Sequence, residues 1–387
     1  MFKKSLAALA VLGAAAGYAS AADVTLFGVV DTGLIYTHQS FDDSKEADVN
    51  KFSMDSGVSS ASRFGLKGTE ELGNGLKVGF KLENGFQSDS GALKSEKRIF
   101  DREASVSVYS DFGTLSMGRM GGVGSGAGTY DLVLATADAF DGGDNNVFGF
   151  ATSDRYDNMV TYQTPKFAGM QATVQYSFKE ASGAEGREGS SAVNRYASAG
   201  LTGNFGALNT VLAYEFQNYD SVGDNGREKD GHIVYLGGNY DCGFAKTFVM
   251  GQYFKGIKLS SVTALGMLDD YDVNEDDTLL DVADAAYNEG AKGYGLHIGT
   301  IVPISNGDLT VGAYYVDGTG ETSKANVEER DFDYMGLATK YEYRLSKRTS
   351  VYLGAGFYKA TIDATSAGND DIEQKVGEVY TGLTHAF

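Results

Sequence analysis

Val379-Tyr380-Thr381-Gly382-Leu383-Thr384-His385-Ala386-Phe387, the last stretch of the chain, decides the fold class. Val379, Leu383 and Phe387 fall on one face of an extended strand, because side chains alternate between its two faces. A soluble protein usually ends in polar residues that fray, so an aromatic residue in last place is unusual. A β-barrel in an outer membrane must keep its last strand complete, because that strand pairs with the first and leaves no open edge in lipid.

The same two-residue period recurs along the chain. It is clearest between Met170 and Lys179, where the apolar face carries Met170, Ala172, Val174, Tyr176 and Phe178. Comparable runs begin at Leu208 and Leu309. The period predicts sheet with one apolar face. A soluble β-sandwich would give the same local pattern, so the period alone does not identify the solvent on that face.

The connections between these runs alternate between short and long. Tight turns are predicted at 71–75, 110–113, 165–169, 204–206, 241–243, 305–307 and 345–347. Long polar connections are predicted at 39–57, 121–151, 181–192, 221–228, 259–289, 320–329 and 364–371. Short turns at one end and long loops at the other are typical of outer-membrane barrels. The sequence therefore predicts an all-β protein: one transmembrane antiparallel β-barrel of about 16 strands over residues 22–387.

The first residues read as a secretory signal peptide. Lys3 and Lys4 precede an apolar stretch at 6–16, and Ala19-Ser20-Ala21 fits a cleavage site. We expect a signal peptide at 1–21, with cleavage after Ala21 or Ala22. No later segment has the run of about 18 apolar residues that a membrane helix requires. The chain is therefore expected to reach the outer membrane without a helical anchor.

Composition narrows the function classes. The formal charge is −20, which argues against binding to nucleic acid. Only 2 Pro are present, as suits continuous sheet, and 24 Tyr and 22 Phe are enough to form aromatic girdles at the two membrane interfaces. Cys242 is the only cysteine, so no disulfide forms within the chain.

Several stretches resemble the general, non-specific porins of Gram-negative bacteria, in particular the trimeric porins of the β-proteobacterial and neisserial type. They are Asp23–Asp31, Ser62–Lys77, Asp101–Arg119, Arg155–Pro165 and Gly382–Phe387. No single stretch is decisive, but their order and spacing span the chain. The resemblance implies a 16-stranded barrel, a homotrimer with one pore per subunit, and a third long loop folded into the lumen.

The resemblance also implies a constriction between that loop and the barrel wall. The loop would be 121–151, and its carboxylates are Asp131, Asp138, Asp141 and Asp144. Arg63, Arg102 and Arg155 match the basic residues of the family's wall. Strand alternation also places Arg63, Lys77, Lys81 and Arg155 toward the lumen. Strand alternation places Arg102 on the same face as apolar residues, so its inward position rests on the resemblance alone. Either a bulge shifts the register there, or the apolar residues face inward and pack against the loop.

These patterns predict an outer-membrane channel through which small hydrophilic solutes and ions diffuse passively, with no cofactor and with lipid and lipopolysaccharide around it. A substrate-specific channel is the nearest alternative, and a plugged adhesion barrel or a barrel enzyme are others. An enzyme needs a nucleophile or an acid pair near a histidine, and the four scattered histidines form no such spacing. The sequence does not decide whether the channel prefers anions or cations. The acidic residues at its mouth favour cations, whereas the basic residues of its wall favour anions.

One acidic segment is a weak candidate for a divalent-cation site. Asp270, Asp272, Asn274 and Asp276 follow a spacing like that of a calcium loop. Its sixth position is Glu275 and its twelfth is Asp281, where an EF-hand needs Gly and Glu. An exposed acidic loop explains the segment better, so no metal is assigned to it.

Overall fold

The computed structural model describes residues 23–42, 48–95, 97–142, 147–180, 194–219, 230–263, 272–274, 277–278, 287–363 and 371–387. The predicted signal peptide at 1–21 lies outside these residues. Within them no helix is long and apolar enough to span a membrane. The described chain is almost entirely β-structure, with one short helix at Leu134–Ala137 and one 3₁₀ turn at Leu259–Ser261.

Nineteen strands are described. In chain order they are β1 (Asp23–Phe41), β2 (Val49–Ser56), β3 (Arg63–Gly73), β4 (Leu76–Gly85), β5 (Glu103–Ser110), β6 (Gly113–Gly121), β7 (Arg155–Gln163), β8 (Met170–Glu180), β9 (Asn194–Phe205), β10 (Leu208–Asn218), β11 (Gly231–Asp241), β12 (Lys246–Ile257), β13 (Asp272–Asn274), β14 (Asp277–Thr278), β15 (Gly290–Ile304), β16 (Gly307–Glu321), β17 (Arg330–Arg344), β18 (Thr349–Ile362) and β19 (Ile372–Ala386). β13 and β14 form a separate small hairpin.

The other strands close into a barrel in which each strand pairs antiparallel with its chain neighbours. β2 and β3 pair in turn along one edge of β1, so together they occupy one place in the wall. β19 pairs along the other edge of β1, with Val29 opposite Ala386 and Phe41 opposite Gln374. The wall therefore has 16 positions, which confirms the expected count.

Side-chain exposure follows the alternation predicted from the sequence. On β10, Leu212 and Tyr214 are exposed on the outer face, whereas Val211, Ala213 and Glu215 are buried inside. The exposed face is apolar because it meets lipid instead of water. Aromatic side chains also mark the tight turns, where Phe112, Phe167, Phe205 and Phe244 are all exposed. They suit the aromatic girdle at the membrane interface on the side of the short turns.

The first long connection differs from the prediction. β1 continues to Phe41 and β2 begins at Val49, so most of the segment 39–57 is a β-hairpin and not a loop. The chain then leaves the wall at 57–62 before β3 begins. Val58 in this segment is buried against Ile35 and Tyr352 on the inner side of the wall. A long connection that the sequence did not indicate joins β4 to β5.

The connection between β6 and β7 folds into the barrel, as expected for a constriction loop. Its apolar residues form one core with inward side chains of the wall, from Val211 on β10 to Val376 on β19. Leu134, Phe148 and Phe150 are the large loop residues in that core. Most of the loop thus lies against the wall from β10 onward, whereas its start contacts β5 and β6 through Thr129 and Tyr130.

Candidate pore constriction

Glu215 holds both limbs of the constriction loop to the wall. Its buried carboxylate accepts hydrogen bonds from the backbone N–H of Gly124 (2.9 Å) and the hydroxyl of Ser153 (2.7 Å). Two wall tyrosines donate to the same carboxylate, Tyr196 at 2.6 Å and Tyr235 at 3.0 Å. Gly124 lies where the loop enters the lumen and Ser153 where it leaves. Four donors offset the cost of burying this charge.

A second attachment lies at the short helix. Asp138 is buried and accepts hydrogen bonds from the hydroxyl of Tyr314 (2.7 Å) and the backbone N–H groups of Phe140 and Gly142. The Nε2 atom of His297 lies 3.3 Å from an oxygen of Asp138. Asp138 therefore belongs to the attachment of the loop to β15 and β16, on the side away from the wall arginines.

Three wall arginines come together near the extracellular ends of their strands. Arg102 is the shared neighbour, since its charge acts on both Arg63 and Arg155. Arg102 is the paired member, and its Nε donates to Glu83 at 2.6 Å. Within the described residues, the side chain of Arg63 bonds only to Ser60 and to the carbonyl of Ala61. The Nε of Arg155 is buried without a hydrogen-bond partner there, and the nearby charges of Asp154 and Asp101 act on its guanidinium.

The unexpected parity of Arg102 has a simple cause. The residue precedes β5 and lies in a bend, so strand alternation does not apply to it. The parity argument also fails for Arg155, because the register shifts between β6 and β7 and Asn158 has a left-handed backbone with φ 54°. The position of Arg155 is given by its neighbours Arg102 and Asp154. Neither explanation offered for Arg102 from the sequence is needed.

The two predicted wall lysines lie at different heights. Lys81 is next to the constriction, and its Nζ contacts Glu103 at 2.8 Å and Glu83 at 3.2 Å. Lys77 is the second residue of β4 after the tight turn, and its Nζ lies 3.5 Å from the exposed carboxylate of Glu71. Lys81 is therefore neutralised by acids, whereas Lys77 lies at the periplasmic mouth and outside the constriction.

The acidic face of the loop centres on Asp131 and Asp141. A hydrogen bond joins their carboxyl groups, so one of them carries a proton. Burial, and next the nearby charge of Asp141, raise the pKa of Asp131 to about 8. Burial also raises the pKa of Asp141, and the charge of Arg63 opposes that shift. Asp141 is therefore the loop carboxylate that faces the arginine wall; Asp144 lies outside the described residues.

Sequence reasoning missed the partners of these groups. Glu103 accepts from Lys81, from the Ser105 hydroxyl and from Thr129, which fixes the start of the loop to β5. Asp157 binds both Arg98 (2.6 Å) and Arg119 (2.8 Å). The sequence does show that Glu103 and Asp157 are acidic residues inside strands. A buried carboxylate in such a position is costly unless a cation or hydrogen-bond donor pairs with it. Which cation pairs with it depends on contacts between strands that the sequence does not reveal.

The segment with calcium-like spacing adds no site. Asp272 and Asn274 lie on β13, whereas Asp270 and Asp276 fall outside the described residues. In the part of the chain that the structure describes, no group of three or more His, Cys, Asp or Glu residues is arranged to hold a metal ion.

Known proteins of similar sequence and structure are porins. A family model described as Gram-negative porin matches residues 8–363. An outer membrane porin protein of Bordetella pertussis is 32% identical, over 92% of this chain and 94% of its own. The major outer membrane protein P.IB of Neisseria gonorrhoeae is 26% identical, over 92% and 93%. The solved anion-selective porin from Comamonas acidovorans has a TM-score of 0.63 at 24% identity and covers 95% of this chain and 100% of its own.

Proposed function

Because this chain belongs to the Gram-negative porin family, whose members are channels and not enzymes, we propose that its constriction lies between Arg63, Arg102 and Arg155 on the wall and Asp141 on the loop. The chain forms a water-filled channel through the outer membrane. Small hydrophilic solutes and ions diffuse passively through it. Charges of opposite sign on the two sides create a field across the pore, which orients dipolar solutes and disfavours apolar ones.

The channel prefers anions. The observation that carries this proposal is that, in the described part of the chain, neither Arg155 nor Arg63 forms a salt bridge, and the Nε of Arg155 has no hydrogen-bond partner. The acids at the constriction are already engaged, since Asp138 faces the wall and Asp131 shares a proton with Asp141. Two arginines without a salt bridge to any described residue outweigh, in a narrow site, the acids of the mouth, which salt screens over about 8 Å. The Comamonas porin of similar structure is itself anion-selective.

Planar-bilayer recording of the purified channel tests both the passive diffusion through the channel and its preference for anions. Under a tenfold KCl gradient, the reversal potential is expected to have the sign for chloride. Large openings with linear current–voltage curves are expected, because a diffusion pore binds its solutes weakly. A potassium-selective reversal would overturn the anion preference alone, whereas folded, inserted protein without openings would overturn the diffusion function. Saturation by one sugar or acid, with block of the current, would instead favour the substrate-specific channel.

The channel assembles as a homotrimer through the side of the wall that carries β4 to β7. These strands have only 8 to 10 residues, whereas β15, β16 and β17 have 15 each. A strand that meets lipid on its outer face needs about 9 to 11 residues, and β5 at the middle of this side has only 8, so the short side suits contact with protein. The neighbouring hairpin of β1 and β2 adds exposed apolar side chains, including Phe52 and Met54.

An asparagine scan of outward residues tests the trimer. Val106 on β5 and Leu212 on β10 are both exposed and apolar, but only Val106 lies on the side of the short strands, and Leu212 lies five wall positions away. Val106→Asn is expected to shift the assembly from trimers to monomers in sedimentation experiments, and Leu212→Asn to leave trimers intact. Trimers that persist with Val106→Asn, or a wild-type protein that is monomeric, would contradict this interface. Lipopolysaccharide is the expected neighbour of the remaining extracellular rim.

A further inference from the structure

The outer face of the wall carries a groove of about 760 Å³ across β10, β11, β12 and β15. Its sides are formed by apolar residues that are more than half exposed: Leu236 at 64%, Val249 at 56% and Leu296 at 54%. Gly238 on β11 and Gly251 on β12 form the floor of the groove. Both occupy outward-facing positions, and neither has a side chain to fill the space. A depression of this size is within the range of small-ligand sites.

The two glycines make the groove in different ways. Gly238 is forced by its neighbours, because a Cβ atom there would lie 2.2 Å from the carbonyl oxygen of Asn209. Gly251 has open space, since a Cβ atom would meet nothing closer than Leu296 at 3.8 Å. A side chain at position 251 therefore fits sterically. The open space beside Gly251 is a feature of the surface and not a requirement of the fold.

The position of the groove identifies its surroundings. It begins beside the tight turns that follow β9 and β11, which mark the periplasmic end of the barrel, and reaches the middle of the wall. It is separated from the short strands of the proposed trimer contact by β8 and β9. A second copy of the chain in that trimer does not cover it. The groove therefore faces the periplasmic leaflet, which consists of phospholipid.

We propose that this groove is a binding site for one acyl chain of a periplasmic-leaflet phospholipid. The chain lies over Gly251 between Leu236, Val249 and Leu296, and the exposed Tyr240 and Thr247 lie at the periplasmic rim, close to the glycerol backbone. Apolar side chains alone recognise the ligand within the groove, so acyl chains of different phospholipids bind there. The bound acyl chain would contact Leu236, Val249 and Leu296, whereas lipid elsewhere on the outer wall exchanges freely.

Native mass spectrometry of the intact, delipidated protein titrated with phosphatidylethanolamine tests the site. The wild type is expected to bind one lipid per chain ahead of weaker, non-specific additions. Gly251→Leu fills the groove and is expected to weaken that first binding at least tenfold. Gly377→Leu is the matched control, because Gly377 is an outward glycine on β19 with nothing within 4 Å of an added Cβ atom. Leu236→Ala, which removes one side of the groove without filling it, is expected to weaken binding several-fold.

Three results would overturn the proposal. The first is equal binding by the wild type and Gly251→Leu, as for lipid at the general surface of the barrel. The second is stronger first binding of lipopolysaccharide than of phosphatidylethanolamine, which would place the groove in the other leaflet. The third is loss of the oligomer with Gly251→Leu, which would make the groove a contact between copies of the chain. If Gly251→Leu fails to fold, unchanged binding by Leu236→Ala decides against the site.

Discussion

Phe387 fills the space beside Gly28 at the seam where the barrel closes. The two residues exchange backbone hydrogen bonds, from Gly28 N to Phe387 O (3.1 Å) and from Phe387 N to Gly28 O (3.0 Å). The Phe387 ring lies so close to Gly28 that a Cβ atom there would be 2.4 Å from its Cζ. The aromatic residue that indicated a barrel from the sequence thus packs against the first strand.

Gly28→Val is expected to weaken this seam. The new side chain would meet the Phe387 ring and, at 2.6 Å, the carbonyl oxygen of Arg63, and backbone cannot move aside cheaply. Overpacking of this kind costs about 1–3 kcal/mol. The measurement is the temperature at which the folded barrel loses its fast migration in SDS gels. Gly377→Val serves as the control, because its surroundings are open. Equal lowering of that temperature by both variants would contradict a specific role for the seam.

Glu215→Ala is expected to free the constriction loop. The substitution leaves the N–H of Gly124 and the hydroxyls of Ser153, Tyr196 and Tyr235 without their acceptor in a buried site, at a cost of about 1–3 kcal/mol for each unsatisfied group. Because both limbs of the loop lose an attachment, open-channel current noise and subconductance states should increase.

Glu215→Gln separates the geometry of this anchor from its charge. The amide keeps one acceptor but presents two donors to groups that are themselves donors, so intermediate noise is expected. Glu71→Gln, at an exposed acid beside a tight turn, should leave single-channel traces unchanged. Quiet, wild-type openings in Glu215→Ala would show that the apolar packing of the loop suffices to hold it.

Arg155→Gln is expected to reduce anion preference without loss of stability. Its Nε has no hydrogen-bond partner within the described residues, and the repulsion from Arg102 exceeds the attraction from Asp154 and from Asp101 taken singly, so its removal costs little electrostatic stabilisation. Reversal potentials in a KCl gradient should move toward zero by several millivolts, and the unfolding temperature should stay the same or rise. Lys77→Gln at the periplasmic mouth should change the reversal potential less. A larger effect of Lys77→Gln would place the selective charge at the mouth.

The barrel itself was predictable because its signals are local. Alternation on β8 and β10, and Asn-Gly or similar turns between strands, depend only on residues close in sequence. The count of 16 wall positions followed from them. The hairpin formed by β1 and β2 was missed because its polar sequence resembles a loop. Its strand state depends on pairing with β1, whose far edge is held by β19.

The constriction was predictable only in part, because its electrostatics depend on contacts distant in sequence. Alternation predicted an inward position for Arg63, but the bulge before Met159 removed the same argument for Arg155. The fully buried Glu215 lay in a clear alternating strand, yet nothing in the sequence paired it with Gly124, 91 residues away. The family resemblance implied an inward loop facing the wall arginines, but it did not predict the role of Glu215.

The carboxyl pair of Asp131 and Asp141 makes ion selectivity depend on pH. The pKa of Asp131 is raised to about 8 by burial, so the group is protonated at neutral pH and loses its proton as pH rises through that value. A new negative charge then appears opposite the wall arginines, and chloride preference is expected to fall between about pH 7 and pH 9.

The stability of the folded barrel is also expected to fall as pH rises. Because the pKa in the folded state is raised above its unfolded value of about 4, the stabilising effect of the proton is fully present below pH 4. It is lost as pH rises through about 8. Asp131→Asn, which resembles the protonated form, should remove most of the pH dependence of the reversal potential, whereas Asp111→Asn at a tight turn should retain it. An unchanged pH profile in Asp131→Asn would assign the titration to another group, with Asp141 the next to test.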